Sequence, residues 1–284
     1  MTASTATTTT TTIPATEPRP RFRDLFAAEW LKLWSLRSTP WSLLLSGLAV
    51  IAINVGAAYD HHHYWDAQHL SPARFIAQGL PLLDAFTTNA GLIMMIAAGS
   101  IGSLMITGEY RTGMIRTTFA AVPARRSVMA AKTAVLTMVM TAFGALVAAI
   151  SFGVTQAILG GMHAGVSISY PGALRVVVAS ALLAPLSALV GAALGAMLRH
   201  SAAAAIGTVI LLLIVPLITS DNHHLSALLA HAQPWPAYLR LVAVPYFPAG
   251  THFPWTVAGA WTVFAVWIFL AAAVVVASVH RRDQ

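Results

Sequence analysis

Two long apolar runs, Phe86 to Thr107 and Ala130 to Leu159, are separated by a short charged piece, Gly108 to Phe119, with the sequence GEYRTGMIRTTF. Each run is long enough to cross a bilayer, because a spanning helix needs about 20 mostly apolar residues. The charged piece between them must then lie at a membrane surface, since the hydrocarbon core does not solvate arginine. Trp41 to Ala58, Leu174 to Leu198, Ala202 to Thr219 and Trp255 to Val279 read the same way. The chain is 57% hydrophobic and 9% charged, with a mean hydropathy of +0.73, whereas an ordinary soluble domain carries about 25% charged residues. The expected fold is all-α: a polytopic membrane protein with six spans, forming one membrane domain over residues 21–284.

The threonine-rich residues 1–20 have no basic residue before Arg19, so they read as a disordered tail and not as a secretory signal. Phe22 to Ser38 follows, and at 100° per residue Phe22, Leu25, Phe26, Leu33 and Leu36 share one face. That pattern describes a helix lying in the membrane interface, with Trp30, Lys32, Trp34 and Arg37 at the headgroup level. Glu29 falls inside the apolar arc and needs a cation, either Lys32 three residues on or Arg111 or Arg116 of the charged piece.

Orientation follows from the positive charges. Arg19, Arg21, Arg23, Lys32, Arg37, Arg111, Arg116, Arg125, Arg126, Lys132, Arg199, Arg281 and Arg282 all fall on one side of a six-span layout. Of the 16 lysines and arginines only Arg74, Arg175 and Arg240 fall on the other. The excess marks the cytoplasmic side, which places both termini and GEYRTGMIRTTF inside. The net charge of +7 is thus a matter of topology, not of nucleic-acid affinity.

The apolar cores contain essentially no ionisable residue; Asn54, Asn89 and Gln156 are their notable polar groups. A proton-coupled carrier, which needs a titrating group at depth, is disfavoured. There is no cysteine, no HExxH and no phosphate-binding loop, and neither of the two lysines, Lys32 and Lys132, completes a GxxxxGK[ST] pattern. Uphill movement of a substrate would take its energy from another chain. Gly191 with Gly195, and Gly99, Gly102 and Ser103, are small-residue patches that allow close helix approach.

Tyr59 to Ala85 and Ser220 to Pro254 read as outer loops, the second with two pieces too short to span, Leu225 to Ala232 and Tyr238 to Val244. Nine of the 11 histidines fall on this outer side: His61, His62, His63, His69, His163, His223, His224, His231 and His252. Beside Asp60 and Asp66, the run His61, His62 and His63 is a candidate zinc or copper ligand set or pH sensor. The run has no defined ligand spacing, so a plain polar loop is the competing reading.

The stretches EWLKLWSLRSTPW, Glu29 to Trp41, and GEYRTGMIRTTFAAVPARRSVMAAK, Gly108 to Lys132, resemble the membrane subunit of bacterial ATP-binding-cassette exporters of the type-2 class, particularly actinobacterial permeases. The resemblance implies a non-catalytic, multi-pass subunit of the bacterial plasma membrane that exports a hydrophobic or amphipathic compound. It also implies a second copy of the chain or a related permease, and a cytosolic ATPase that holds the ATP and magnesium. In such transporters the short helix after the second span couples to the ATPase, a role that carries over to Glu109, Tyr110, Arg111, Thr112, Gly113, Met114, Ile115, Arg116 and Thr117. On this reading Arg111 and Arg116 contact ATPase carboxylates, and Tyr110 and Met114 form an apolar anchor. The histidine-rich first outer loop departs from plainer members. A metal-linked transport or sensing protein and a carrier needing no ATPase are the alternatives.

Overall fold

The computed structural model describes residues 21–65, 71–219, 223–244, 253 and 255–278. The expectations for the tail, for Asp66, His69 and His252, and for Arg281 and Arg282 lie outside the described residues. Among the described residues there is no strand. The helices are α1 (Phe22–Ser35), α2 (Ser38–His63), α3 (Pro72–Ala77), α4 (Leu80–Ala85), α5 (Thr88–Thr112), α6 (Met114–Ala121), α7 (Arg125–Gly160), α8 (Ala173–Leu198), α9 (Ser201–Ile218), α10 (His224–His231), α11 (Pro234–Val242) and α12 (Val257–Ala277). Among the described residues six segments are long and apolar enough to cross a membrane: α2, α4 with α5, α7, α8, α9 and α12.

The bundle is built around α8. Its sequence is apolar on all sides, as a helix surrounded by others must be, and it packs against α5, α7, α12 and α9. The approach to α5 is close because both helices use glycine at the contact. A Cβ on Gly102 would come within 1.9 Å of the Ala188 carbonyl oxygen, and one on Gly191 within 1.9 Å of that of Gly99. On the α7 side Gly144 leaves room for the carbonyl of Ala181, 2.1 Å from where its Cβ would stand. That carbonyl lies four residues before Pro185, which has no N–H to bond it. In α9, the π-helical turn Ile210–Ile214 runs directly into Pro216, where a widened turn accommodates the missing donor.

At the end of the bundle away from α1 and α6, buried Asn54 ties three helices together. Its Nδ2 donates to Ser151 Oγ at 3.1 Å on α7, and its Oδ1 accepts from Thr87 N at 3.0 Å and Thr87 Oγ1 at 2.9 Å. Thr87 in turn caps α5 by accepting from Ala90 N. Gln156 Nε2 donates to Pro81 O at 2.8 Å while its Oε1 accepts from Val166 N. Asn89 is exposed.

The expected polar loop from Tyr59 to Ala85 is largely helical: α2 continues to His63, and α3 and α4 fold beyond the undescribed 66–70. Ser71 caps α3 with Pro72 at its first position, the arrangement that a fixed φ and a missing N–H favour. α10 is mostly exposed, but α11 inserts Trp235 and Tyr238 into the core beside Gly91, where a Cβ would meet Tyr238 Cε1 at 2.9 Å. The Tyr238 hydroxyl lies 3.2 Å from Ser180 Oγ.

Gly102→Ala should therefore lower the thermal midpoint of the detergent-solubilised protein by several degrees, since overpacking a tight contact costs about 1–3 kcal/mol. Gly108→Ala, whose added methyl meets open space, should not. Equal midpoints for the two variants would contradict the close approach of α5 and α8.

Candidate functional site

The charged piece does not form one helix. α5 runs on through Glu109, Tyr110, Arg111 and Thr112 to Gly113, whose φ of +72° breaks the helix, and α6 starts at Met114. Glycine takes this left-handed conformation without the strain a Cβ brings. Thr112 Oγ1 donates to Gly108 O and Thr117 Oγ1 to Met114 O. Ile115 is buried, whereas Met114, Thr117, Arg111 and Arg116 are exposed. Tyr110 and Met114 therefore belong to different helices and not to one continuous helical face; the Tyr110 ring lies under the Arg199 guanidinium at 5.0 Å. The break at Gly113 is the reason, because a spacing of four places residues on one face only within a continuous helix.

Glu109 does not face outward. It is 5% exposed and turns into the bundle toward Lys132, about two turns into α7. Lys132 Nζ donates to Glu109 Oε1 at 2.6 Å and to Glu29 Oε2 at 2.5 Å. Glu29 Oε1 accepts from Lys32 Nζ at 2.6 Å, and Lys32 Nζ lies 3.5 Å from Glu109 Oε1. Both lysines of the chain and two of its three glutamates thus meet in one electrically balanced cluster joining α1, α5 and α7, with Glu29, Glu109 and Lys132 buried and Lys32 half-buried at its edge. Burial would lower the Lys32 pKa, but the hydrogen bond and charge of Glu29 and the charge of Glu109 outweigh it and hold it above its ordinary value. A raised lysine pKa adds stability that is fully present below the ordinary lysine value and is lost only as the pH rises past it, so the Lys32 contribution is fully present at neutral pH.

Of the two partners expected for Glu29, Lys32 is the one found; Lys132 is a second partner that the sequence reading missed, and no ion pair joins Glu29 to Arg111 or Arg116 among the described residues. Lys132, expected as one of the cytoplasmic-side charges between the second and third spans, is instead buried near the start of α7. The sequence carried a signal: Glu29 stands with buried Leu25 and Leu33 at spacings of four, and Lys132 interrupts VMAAKTAVL in the same way.

The rest of the predicted interfacial helix takes its place around the cluster. Leu25 packs with Val128 and Ala131 at the start of α7. Trp30 meets Trp34 edge to face at 5.8 Å, and Arg37 is exposed at the start of α2. Trp30 and Trp34 also border an open apolar groove of about 680 Å³ between α2 and α7, lined further by Leu44, Leu48, Phe143 and Leu146.

At the opposite end the three histidines diverge. His61 Nδ1 lies 2.8 Å from Oδ2 of buried Asp84, whereas His62 and His63 are exposed and the His63 ring stacks on Tyr59. Consecutive residues of a helix point about 100° apart, so they do not converge on one ion. Among the described residues no group of three histidine or carboxylate side chains is placed to hold a metal.

Removing one member of the cluster strands a buried charge, a cost of about 3–5 kcal/mol. Lys132→Met should lower the thermal midpoint markedly, and Lys132→Met with Glu109→Gln, which leaves the Glu29 and Lys32 pair balanced, should recover most of the loss. A single variant as stable as the parent would contradict the burial and pairing of Lys132.

A family model described as ABC-2 family transporter protein matches residues 25–216, from the first turn of α1 nearly to the end of α9. No curated protein matches the chain. The matched stretch takes in the whole charge cluster and the helix break at Gly113. The chain belongs to the ABC-2 family of transporter proteins, as a multi-pass membrane permease subunit.

Proposed function

We propose that this permease exports a hydrophobic or amphipathic compound across the bacterial plasma membrane, driven by ATP hydrolysis in a separate cytosolic ATPase, and that it works as a pair with a second copy or a related permease. The observation that carries the reading is the placement of Arg111 and Arg116. Both are exposed on either side of the Gly113 break, and neither forms an ion pair with a described carboxylate. Each is free to make charge-assisted contacts to carboxylates of the ATPase.

The cluster behind them supplies the mechanical link. A push on α6 or the end of α5 reaches Glu109, which is hydrogen-bonded to Lys132 on α7, which is hydrogen-bonded to Glu29 on α1. Three elements at this end then move as one when the ATPase closes, tilting the spans of α5 and α7 between inward-open and outward-open arrangements. The apolar groove between α2 and α7 offers a substrate with an apolar body a route along the side of the bundle. The end carrying α1 and α6 faces the cytosol, in keeping with its arginine excess.

Replacing Arg111 and Arg116 together with Glu should abolish co-purification of the ATPase while leaving the thermal midpoint unchanged, because both side chains are exposed. A retained complex with retained transport would overturn the docking role. Orientation is testable separately, since the chain has no cysteine. Thr117→Cys should react with a membrane-impermeant maleimide only in broken cells, and Asp60→Cys in intact ones; the reverse pattern would overturn the assigned sidedness.

A further inference from the structure

A second cleft lies at the end of the bundle away from the charge cluster, where α8 begins, α11 ends and α12 begins. Its volume is about 410 Å³, and Tyr170, Arg175, Arg240, Val244 and Val257 line it. Lysine and arginine are scarce at this end: among the described residues only Arg74, Arg175 and Arg240 stand there. Two of the three share this cleft.

Arg175 is held rigidly. Its Nε donates to Leu241 O at 3.0 Å and its Nη2 to Ala243 O at 2.9 Å, so one edge of the guanidinium is fixed along the end of α11. Five N–H donors belong to the group, and the edge bearing Nη1 remains for a ligand. Arg240 is positioned by Nε donating to Trp255 O at 2.6 Å. No described carboxylate forms an ion pair with Arg175, and buried Asp84 is engaged by His61. The cleft therefore sets guanidinium groups, one of them pinned, against the apolar walls of Pro171, Val244 and Val257. Guanidinium matches phosphate oxygens two at a time, and the walls suit the first carbons of an attached chain.

We propose that this cleft binds a phosphate-bearing anion at the membrane surface, with Arg175 and Arg240 holding the phosphate oxygens. The phosphate arrives either as the headgroup of an anionic lipid or as a free anion, and the two sources differ in whether the apolar walls are used.

The test is a native mass spectrometry titration of the detergent-solubilised full chain with dioctanoyl phosphatidylglycerol, dioctanoyl phosphatidylcholine and inorganic phosphate. Arg240→Gln removes one cation. Val257→Asp keeps both arginines and their backbone bonds but adds a carboxylate to the cleft, at the first position of α12 where an acidic residue suits the helix terminus. Each variant should weaken phosphatidylglycerol binding about tenfold or more, the loss expected for a hydrogen bond to a charged group. Competition by inorganic phosphate at similar concentrations would identify a free anion as the ligand, and its failure to compete a lipid headgroup. Unchanged phosphatidylglycerol affinity in both variants, or equal affinity for phosphatidylcholine in the parent, would overturn the proposal. The titration needs no ATPase and no assigned sidedness, so its outcome is separate from that of the transport reading.

Discussion

Three charges removed from water at one end of a helical bundle, Glu29, Glu109 and Lys132, constrain everything around them. An unpaired carboxylate or ammonium at such depth costs several kcal/mol, and only good geometry with further hydrogen bonds offsets it. Lys132 meets that condition by bonding Glu29 and Glu109 at once, and Lys32 completes the balance. The pairing forces α1 to lie against the start of α7 and fixes the end of α5 beside both, with α6 the short helix that follows Gly113. Glu109 Oε2 is buried without a hydrogen-bond partner among the described residues. The α5 arm of the cluster is therefore less completely satisfied than the α1 arm, where Glu29 uses both oxygens.

The remainder of the bundle is held by close packing instead of charge. Lipid tails are as apolar as the helices, so association in the membrane depends on backbone approach and on buried polar bonds. Gly102 and Gly191 supply the first between α5 and α8, and Asn54, bridging α2, α7 and the cap of α5, supplies the second. The two ends of α5 are thus fixed by different chemistry: a neutral amide network at its start and an ion cluster at its finish. A helix anchored at both ends and packed by glycine along its length transmits a displacement with little bending.

How much of this the amino-acid sequence disclosed depends on the range of the interaction. The spans were legible because each is a local run of apolar residues, and Gly99, Gly102, Gly191 and Gly195 were legible as small-residue contacts. Glu29 was legible as misplaced, but its partner Lys132 stands 103 positions away, and no local pattern connects them. Lys132 was hidden further by its position at the edge of an apolar run, where a lysine reads as a topological charge. The break between Arg111 and Arg116 turned on Gly113, whose role appears only with its positive φ. The helices of the first outer region had a visible mark in Ser71 and Pro72, a cap followed by a proline, which the density of histidines obscured. His61 engages Asp84 across 23 residues, again beyond any local pattern.

The central claim is that the cluster makes α1, α5 and α7 one rigid unit, on which α6 is seated by Phe119 packed against Leu25, Val128 and Ala131. Because the chain has no cysteine, spin labels can be placed at Ala28→Cys on α1 and Thr117→Cys on α6, both exposed, and their separation measured by pulsed electron paramagnetic resonance in the complex with the proposed ATPase. The account predicts a single narrow distance, the same without nucleotide and with ATP bound, that broadens when Lys132→Met is added. A distance that shifts by several ångströms on ATP binding in the labelled parent, or one that stays narrow in the Lys132→Met background, would contradict it.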